Sequence, residues 1–318
     1  VLGRRLLSAS IIISVMLVLL RIDYWLGSEA SLARPGLVLC VLAMALATMA
    51  AGELVQLWPP SPRKPGPWLV SNSVGLMVFI SCLPLVLAPV VSQSTESLAG
   101  NVQSDSEWLN PFAWTAAGIF VAFLLSFVVE MLRYRVDDSG AGFVTDRLGR
   151  SAFVFVYLSM LFGFLVPHRL LDHDNAVGLI SLIALIATVK LSDSFAYFAG
   201  KSFGTIKLAP RLSPKKTVQG AIGAVVGGCL ATAIVVFLVA PMIFGVNVNK
   251  PWWWFLVYGL LVTVAGMVGD LAESLLKRDA NVKDSSSWLP GLGGVLDVLD
   301  SLMFAAPVSY VVWNLFTK

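Results

Sequence analysis

Residues 269 to 301 read GDLAESLLKRDANVKDSSSWLPGLGGVLDVLDS and lie between two long apolar runs. Asp270 and Glu273 close the first run, and Asp297 and Asp300 open the second. Each pair is three residues apart, which on a helix puts both acids on one face. Carboxylates at membrane depth are costly, roughly 2.5 to 3.5 kcal/mol each, so four of them need partners, water or a cation. The loop between the pairs carries Lys277, Arg278 and Lys283, and Gly291, Gly293 and Gly294 let backbone N–H groups approach an anion. Oxygen ligands beside lysine and arginine suit Mg²⁺ and phosphate.

Composition sets the solvent of the surrounding chain. Of 318 residues, 57% are hydrophobic and 13% charged, against an apolar share of about 45 to 50% in soluble domains. The expectation is an all-α, polytopic integral membrane protein. Nine apolar runs suit helices of about 20 residues: Leu6 to Leu20, Gly36 to Leu57, Val70 to Val91, Phe112 to Leu132, Ala152 to Val166, Val177 to Phe198, Val218 to Phe244, Trp252 to Leu275 and Val295 to Phe316. The first and fifth are short and could extend into their flanks. The first lacks a small-residue cleavage site and is expected to remain as a span. Cys40, Cys82 and Cys229 are dispersed in apolar runs, which suggests neither a disulfide framework nor a thiolate metal site.

With the N-terminus inside, sixteen of the twenty-two lysines and arginines fall in inner segments, as the positive-inside rule requires. The stretch Ser92 to Asn110, acid-rich and without Lys or Arg, then falls outside. Residues 1–133 are expected to be structural helices, and residues 134–318 the catalytic region. The embedded acids of the first part, Glu53 and Glu130, sit near helix ends, where snorkelling explains them. Glu53→Gln is accordingly expected to matter little. Trp58, Trp68, Trp252, Trp253 and Trp254 suit an interfacial belt.

A second polar block begins at Lys190, Ser192 and Asp193 and continues as a basic loop broken by Gly and Pro. A private ion pair between Lys190 and Asp193 is the plainer reading. The loop ends in Ser213-Pro214-Lys215-Lys216-Thr217 ahead of a helix N-terminus, and lysines, hydroxyls and a positive helix end together suit phosphate. No P-loop or GxSxG elbow is present. His168 and His173 are expected in an outer loop, away from both blocks.

Both blocks resemble the phosphatidate cytidylyltransferase (CDP-diacylglycerol synthase) family. Ser274, Lys277, Arg278, Lys283, Asp284, Ser286, Leu289, Pro290, Gly293, Gly294, Asp297 and Asp300 match its C-terminal motif. Ser192, Asp193, Ala196, Tyr197, Gly200, Gly204, Ser213, Pro214, Lys215, Lys216, Thr217 and Gly220 match the earlier one. Leu292 and Val298 stand where the family has His and Arg, and Val218-Gln219 where it has Trp-Glu. The likeness is specific from about Lys190 to Ser301 and only hydropathic before that.

The resemblance implies transfer of the cytidylyl group of CTP to phosphatidate, with Asp270, Asp297, Lys277 and Lys283 catalytic. It also implies Mg²⁺, with room for a second cation, held by Asp193, Asp270, Glu273, Asp297 and Asp300. Ser213, Lys215, Lys216, Thr217, Ser274, Arg278, Gly293 and Gly294 would bind substrate. A homodimer in the bacterial inner membrane is implied as well, with CTP, phosphatidate and membrane lipid as partners, no nucleic acid, and the site facing the cytoplasm. Activity is expected despite Leu292 and Val298. The competing readings are a related CTP-dependent lipid enzyme, such as a polyprenol kinase-like protein, and a cation-coupled transporter.

Overall fold

The computed structural model describes residues 15, 18–26, 36–59, 64–98, 110–134, 142–171, 175–286, 288 and 293–315. Most of the run Leu6 to Leu20 lies outside the described residues, though residues 18–26 are helical. Eight described helices are long and apolar enough to cross a membrane. They are α1 (Leu37–Leu57), α2 (Pro67–Leu98), α3 (Pro111–Arg133), α4 (Phe143–Arg169), α5 (Asn175–Phe203), α6 (Val218–Ile234, continued as a π-helical segment Val235–Phe244), α7 (Trp254–Asp279) and α8 (Val295–Leu315). Each corresponds to one of the expected runs. The fifth run does extend, to 27 residues in α4. Ser92 to Leu98 belong to α2 rather than to the loop that follows.

The chain packs as two compact units, Val1–Pro167 with Asp284–Leu296, and His168–Lys283 with Asp297–Lys318. In the first unit α2 packs against both α1 and α3. Helix α3 shows what solvent it is built for. Its buried side is Thr115, Gly118, Ala122, Ser126 and Glu130, while Phe120, Leu124, Phe127 and Met131 point outward. Small and polar residues face the protein and large apolar ones face away, the reverse of a helix in water and the arrangement that packs helices in lipid. Glu130 is not snorkelling: it is buried and paired with Arg147, Nε to Oε2 at 2.9 Å.

In the second unit α6 lies between α5 and α7, and close crossings use small residues. A Cβ at Gly259 would stand 2.6 Å from Cys229 Cα, so those backbones meet with no side chain between them. Pro241, lacking an N–H, falls within the π-helical segment, where the wider winding absorbs the missing bond.

Trp254 is fully buried, with its ring centroid 5.1 Å from that of Trp313 and 4.8 Å from that of Tyr258. The interfacial belt therefore does not include it, although Trp68 and Trp252 are exposed. His168 also departs from expectation. It is buried in the last turn of α4, with Nε2 2.9 Å from Ser309 Oγ. Ser309 meets the Tyr258 hydroxyl at 2.6 Å, so the imidazole serves helix packing. His173 lies outside the described residues.

Candidate active site

The basic loop after α5 folds into an antiparallel hairpin, β1 (Lys207–Ala209) with β2 (Ser213–Thr217), pairing Lys207 with Thr217 and Ala209 with Ser213. It is a small β element among described residues that are mostly helical. Thr217 ends the hairpin and caps α6, its side chain accepting from Gly220 N at 3.1 Å. Gln219 fixes the loop before β1, accepting from Thr205 N at 3.1 Å and donating to Thr205 Oγ1 at 2.6 Å. Along β2 successive side chains alternate in direction. Lys216 turns toward α7, where its Nζ is 2.6 Å from Asp270 Oδ2, while Lys215 is exposed.

Asp270, Glu273, Ser274 and Lys277 recur at helical spacing on one side of α7. Gly269 brings that side against α8, since a Cβ there would stand 2.6 Å from the Asp300 carbonyl. The two acidic pairs therefore converge. Lys277 Nζ lies between them, 2.7 Å from Asp297 Oδ1 and ion-paired with the fully buried Glu273. Arg278 Nε donates to Leu212 O at 3.3 Å, tying the end of α7 to the hairpin.

Lys190 is not a private partner of Asp193. Its Nζ donates to Val298 O at 2.8 Å, reaching α8. Asp193 lies within electrostatic reach of Lys190, Asp300, Asp270 and Lys216 at once, and Asp300 within reach of Asp270 and Lys190. The second unit thus brings Asp193, Lys216, Asp270, Glu273, Lys277, Asp297 and Asp300 into one charged cluster. Lys215, Arg278 and Lys283 are exposed, Ser213 and Ser274 half-buried, and Thr217 buried in its cap. Among the described residues no three His, Cys, Asp or Glu side chains stand where they would themselves hold a metal ion. Lysine ammonium groups hold Asp270, Glu273 and Asp297 instead.

Gly293 and Gly294 belong to the first unit, and their surroundings give each a structural reason. Gly293 has φ +93°, which disfavours any side chain. A Cβ at Gly294 would run into the Glu53 carboxylate. Glu53 is the residue that sequence reasoning missed. Its Oε1 accepts from Ser286 Oγ at 2.7 Å and Val295 N at 3.0 Å, and its Oε2 from Ser285 Oγ at 3.0 Å and Leu296 N at 2.8 Å. It is buried and paired, not snorkelling, so the expectation that Glu53→Gln matters little does not survive its surroundings. An acid amid apolar residues was the available signal, but its partners lie more than 230 positions away. Leu289, Pro290, Gly291 and Leu292 lie outside the described residues.

A family model described as the cytidylyltransferase family matches residues 4–316. Curated relatives named phosphatidate cytidylyltransferase include one from Chlamydia muridarum, 31% identical over 255 residues, covering 76% of this chain and 72% of the relative. Another, from Bacillus subtilis, is 38% identical over 190 residues, covering 60% of this chain and 66% of the relative. A third, from Thermotoga maritima, is 33% identical over 190 residues, covering 59% and 67%. With nearly its whole length matched by the family model, and with eight apolar helices among the described residues long enough to span a bilayer, the chain belongs to the cytidylyltransferase family as a multi-pass membrane protein.

Proposed function

We propose that this chain transfers the cytidylyl group of CTP to phosphatidate, giving CDP-diacylglycerol and pyrophosphate. The observation that carries this reading is the convergence of Lys216 on the hairpin with Asp270 of α7, and of Lys277 of α7 with Glu273 and with Asp297 of α8. The names of the relatives supply the substrates.

A phosphate oxygen of phosphatidate attacks the α-phosphorus of CTP. The bond from that phosphorus to the bridging oxygen breaks, and its electron pair leaves with pyrophosphate. The attacking monoester has a second pKa near 6 and is largely ionised at neutral pH, so it needs no strong protein base. His168 could not serve as one. Its partner Ser309 lies twelve residues along α8 from Asp297, roughly 18 Å at the helical rise.

The protein's task is therefore to bring two polyanions together and to stabilise the charge that collects on the leaving group. Lys215, Arg278 and Lys283 are exposed and would grip phosphates, with the ion-paired Lys216 and Lys277 adding positive charge to the site. Carboxylate oxygens are the donors that a hard divalent cation takes, although lysine ammonium groups hold Asp270, Glu273 and Asp297 in this structure. Asp193, Asp270, Glu273, Asp297 and Asp300 are five carboxyl groups gathered with the ammonium groups of Lys190, Lys216 and Lys277. Mg²⁺ bound among Asp193, Asp270, Glu273, Asp297 and Asp300 would supply Lewis-acid neutralisation of the phosphates. The cluster faces the cytoplasm in this reading, where the positive-inside rule puts the Lys/Arg-rich segments.

Two labels of CTP test the reaction. In mixed micelles with phosphatidate and Mg²⁺, label in the cytidine should enter the lipid fraction and label in the γ-phosphate should not. Transfer of the γ-label alone would identify a kinase and overturn the proposal.

A further inference from the structure

Glu53 has no place in the reaction above, yet its carboxylate is buried and takes four hydrogen bonds, from Ser285, Ser286 and the first two residues of α8. Two donors are Val295 N and Leu296 N, the backbone groups that open α8. The first N–H groups of a helix have no partner within it, and a carboxylate there makes charge-assisted bonds that the helix dipole favours. The other two donors, Ser285 Oγ and Ser286 Oγ, bring the start of the same segment to the same carboxylate. Glu53 therefore ties Ser285 and Ser286 to the first turn of α8. Gly294 completes the arrangement, because a Cβ there would collide with Glu53 Oε2 and Ser285 Oγ. That glycine is small because the carboxylate needs the space.

We infer that Glu53 is a positioning residue: by gripping the first turn of α8 it sets the pose of Asp297, the third residue of that helix. The inference rests on the cytidylyl-transfer reading. A helix is stiff over one turn, so a shift at Val295 and Leu296 is carried to Asp297 with little loss. Glu53→Gln keeps the volume but replaces one oxygen with an NH₂ group. Since each oxygen accepts from one backbone N–H, either orientation of the amide sets its NH₂ against an N–H of α8.

The test uses the purified full chain in micelles with phosphatidate, CTP and Mg²⁺, counting active molecules by CTP-binding stoichiometry. For Glu53→Gln, kcat per binding site should fall about 10- to 100-fold, the scale expected for a misplacement near 1 Å. KM for CTP should stay within about twofold. A purely structural role would reduce the number of binding sites and leave kcat per site unchanged, and that result overturns the inference. Gly294→Ala should mimic Glu53→Gln, and the double variant should be no worse than the more severe single one, since both disturb one contact. Independent, multiplying losses would also overturn it. If Glu53→Gln does not fold, the double variant Ser285→Ala with Ser286→Ala removes two donors and leaves the carboxylate on α8. A kcat several-fold below wild type then supports the inference, and a wild-type kcat sinks it. A wild-type chain that makes no CDP-diacylglycerol defeats the reaction itself, whereas an active wild type with an equally active Glu53→Gln defeats only the positioning role.

Discussion

Lys277 shows how the candidate site balances charge at the level of single residues. Its ammonium lies between Glu273, which is fully buried, and Asp297. Removing it leaves a buried carboxylate without its ion partner, a loss of about 3 to 5 kcal/mol. Lys277→Ala should therefore melt well below wild type in detergent, and adding Glu273→Gln should recover most of the loss. Equal melting of the single and double variants would contradict this account of the pair. At this scale the sequence was informative wherever cost could be read locally. Asp270, Glu273, Asp297 and Asp300 stood out because acids in apolar runs need partners. The same argument failed at Glu53 because a helix-end position offered a cheaper explanation, and nothing in spacing points to Ser285 or Val295. His168 failed for a related reason, since its partner Ser309 is 141 positions away.

Among elements, the crossing of α7 and α8 governs whether the acidic pairs meet. Gly269 is a point of close approach, with the Asp300 carbonyl 2.6 Å from where a Cβ would be. Backbone cannot yield as a flexible side chain can, so Gly269→Ala should push the helices apart. The expected result is a stability loss of about 1 to 3 kcal/mol and at least a tenfold drop in turnover, checked by thermal unfolding and product formation on the same sample. Wild-type turnover would show that the crossing does not set the site. The helices themselves were legible from apolar run length, but their ends were not: α4 starts nine residues before the expected run and α2 ends seven residues after it. The hairpin was not. Ser213 to Thr217 carries two lysines and a proline with no apolar alternation, so only its pairing with Lys207 and Ala209 reveals the strand. That pairing turns Lys216, not Lys215, toward Asp270.

At the scale of the whole molecule, membrane residence follows from eight apolar helices among the described residues and from the outward-facing large side chains of α3. The proposed orientation puts Ser92 to Asn110 outside, and a single cysteine introduced there should react with an impermeant reagent added from outside. Reaction only from the cytoplasmic face would reverse the topology. The proposed Mg²⁺ site predicts that a chelator stops turnover and that added Mg²⁺ restores it; turnover unchanged in excess chelator would rule out the cation. The central claim, that the charged cluster of α5, α7, α8 and the hairpin performs cytidylyl transfer, is tested most directly by one comparison. Wild type, Asp270→Asn and Asp297→Asn, matched for folded protein in micelles, receive phosphatidate, Mg²⁺ and cytidine-labelled CTP. The account predicts labelled CDP-diacylglycerol from wild type and essentially none from either variant, and near-wild-type product from Asp297→Asn or Asp270→Asn would contradict it.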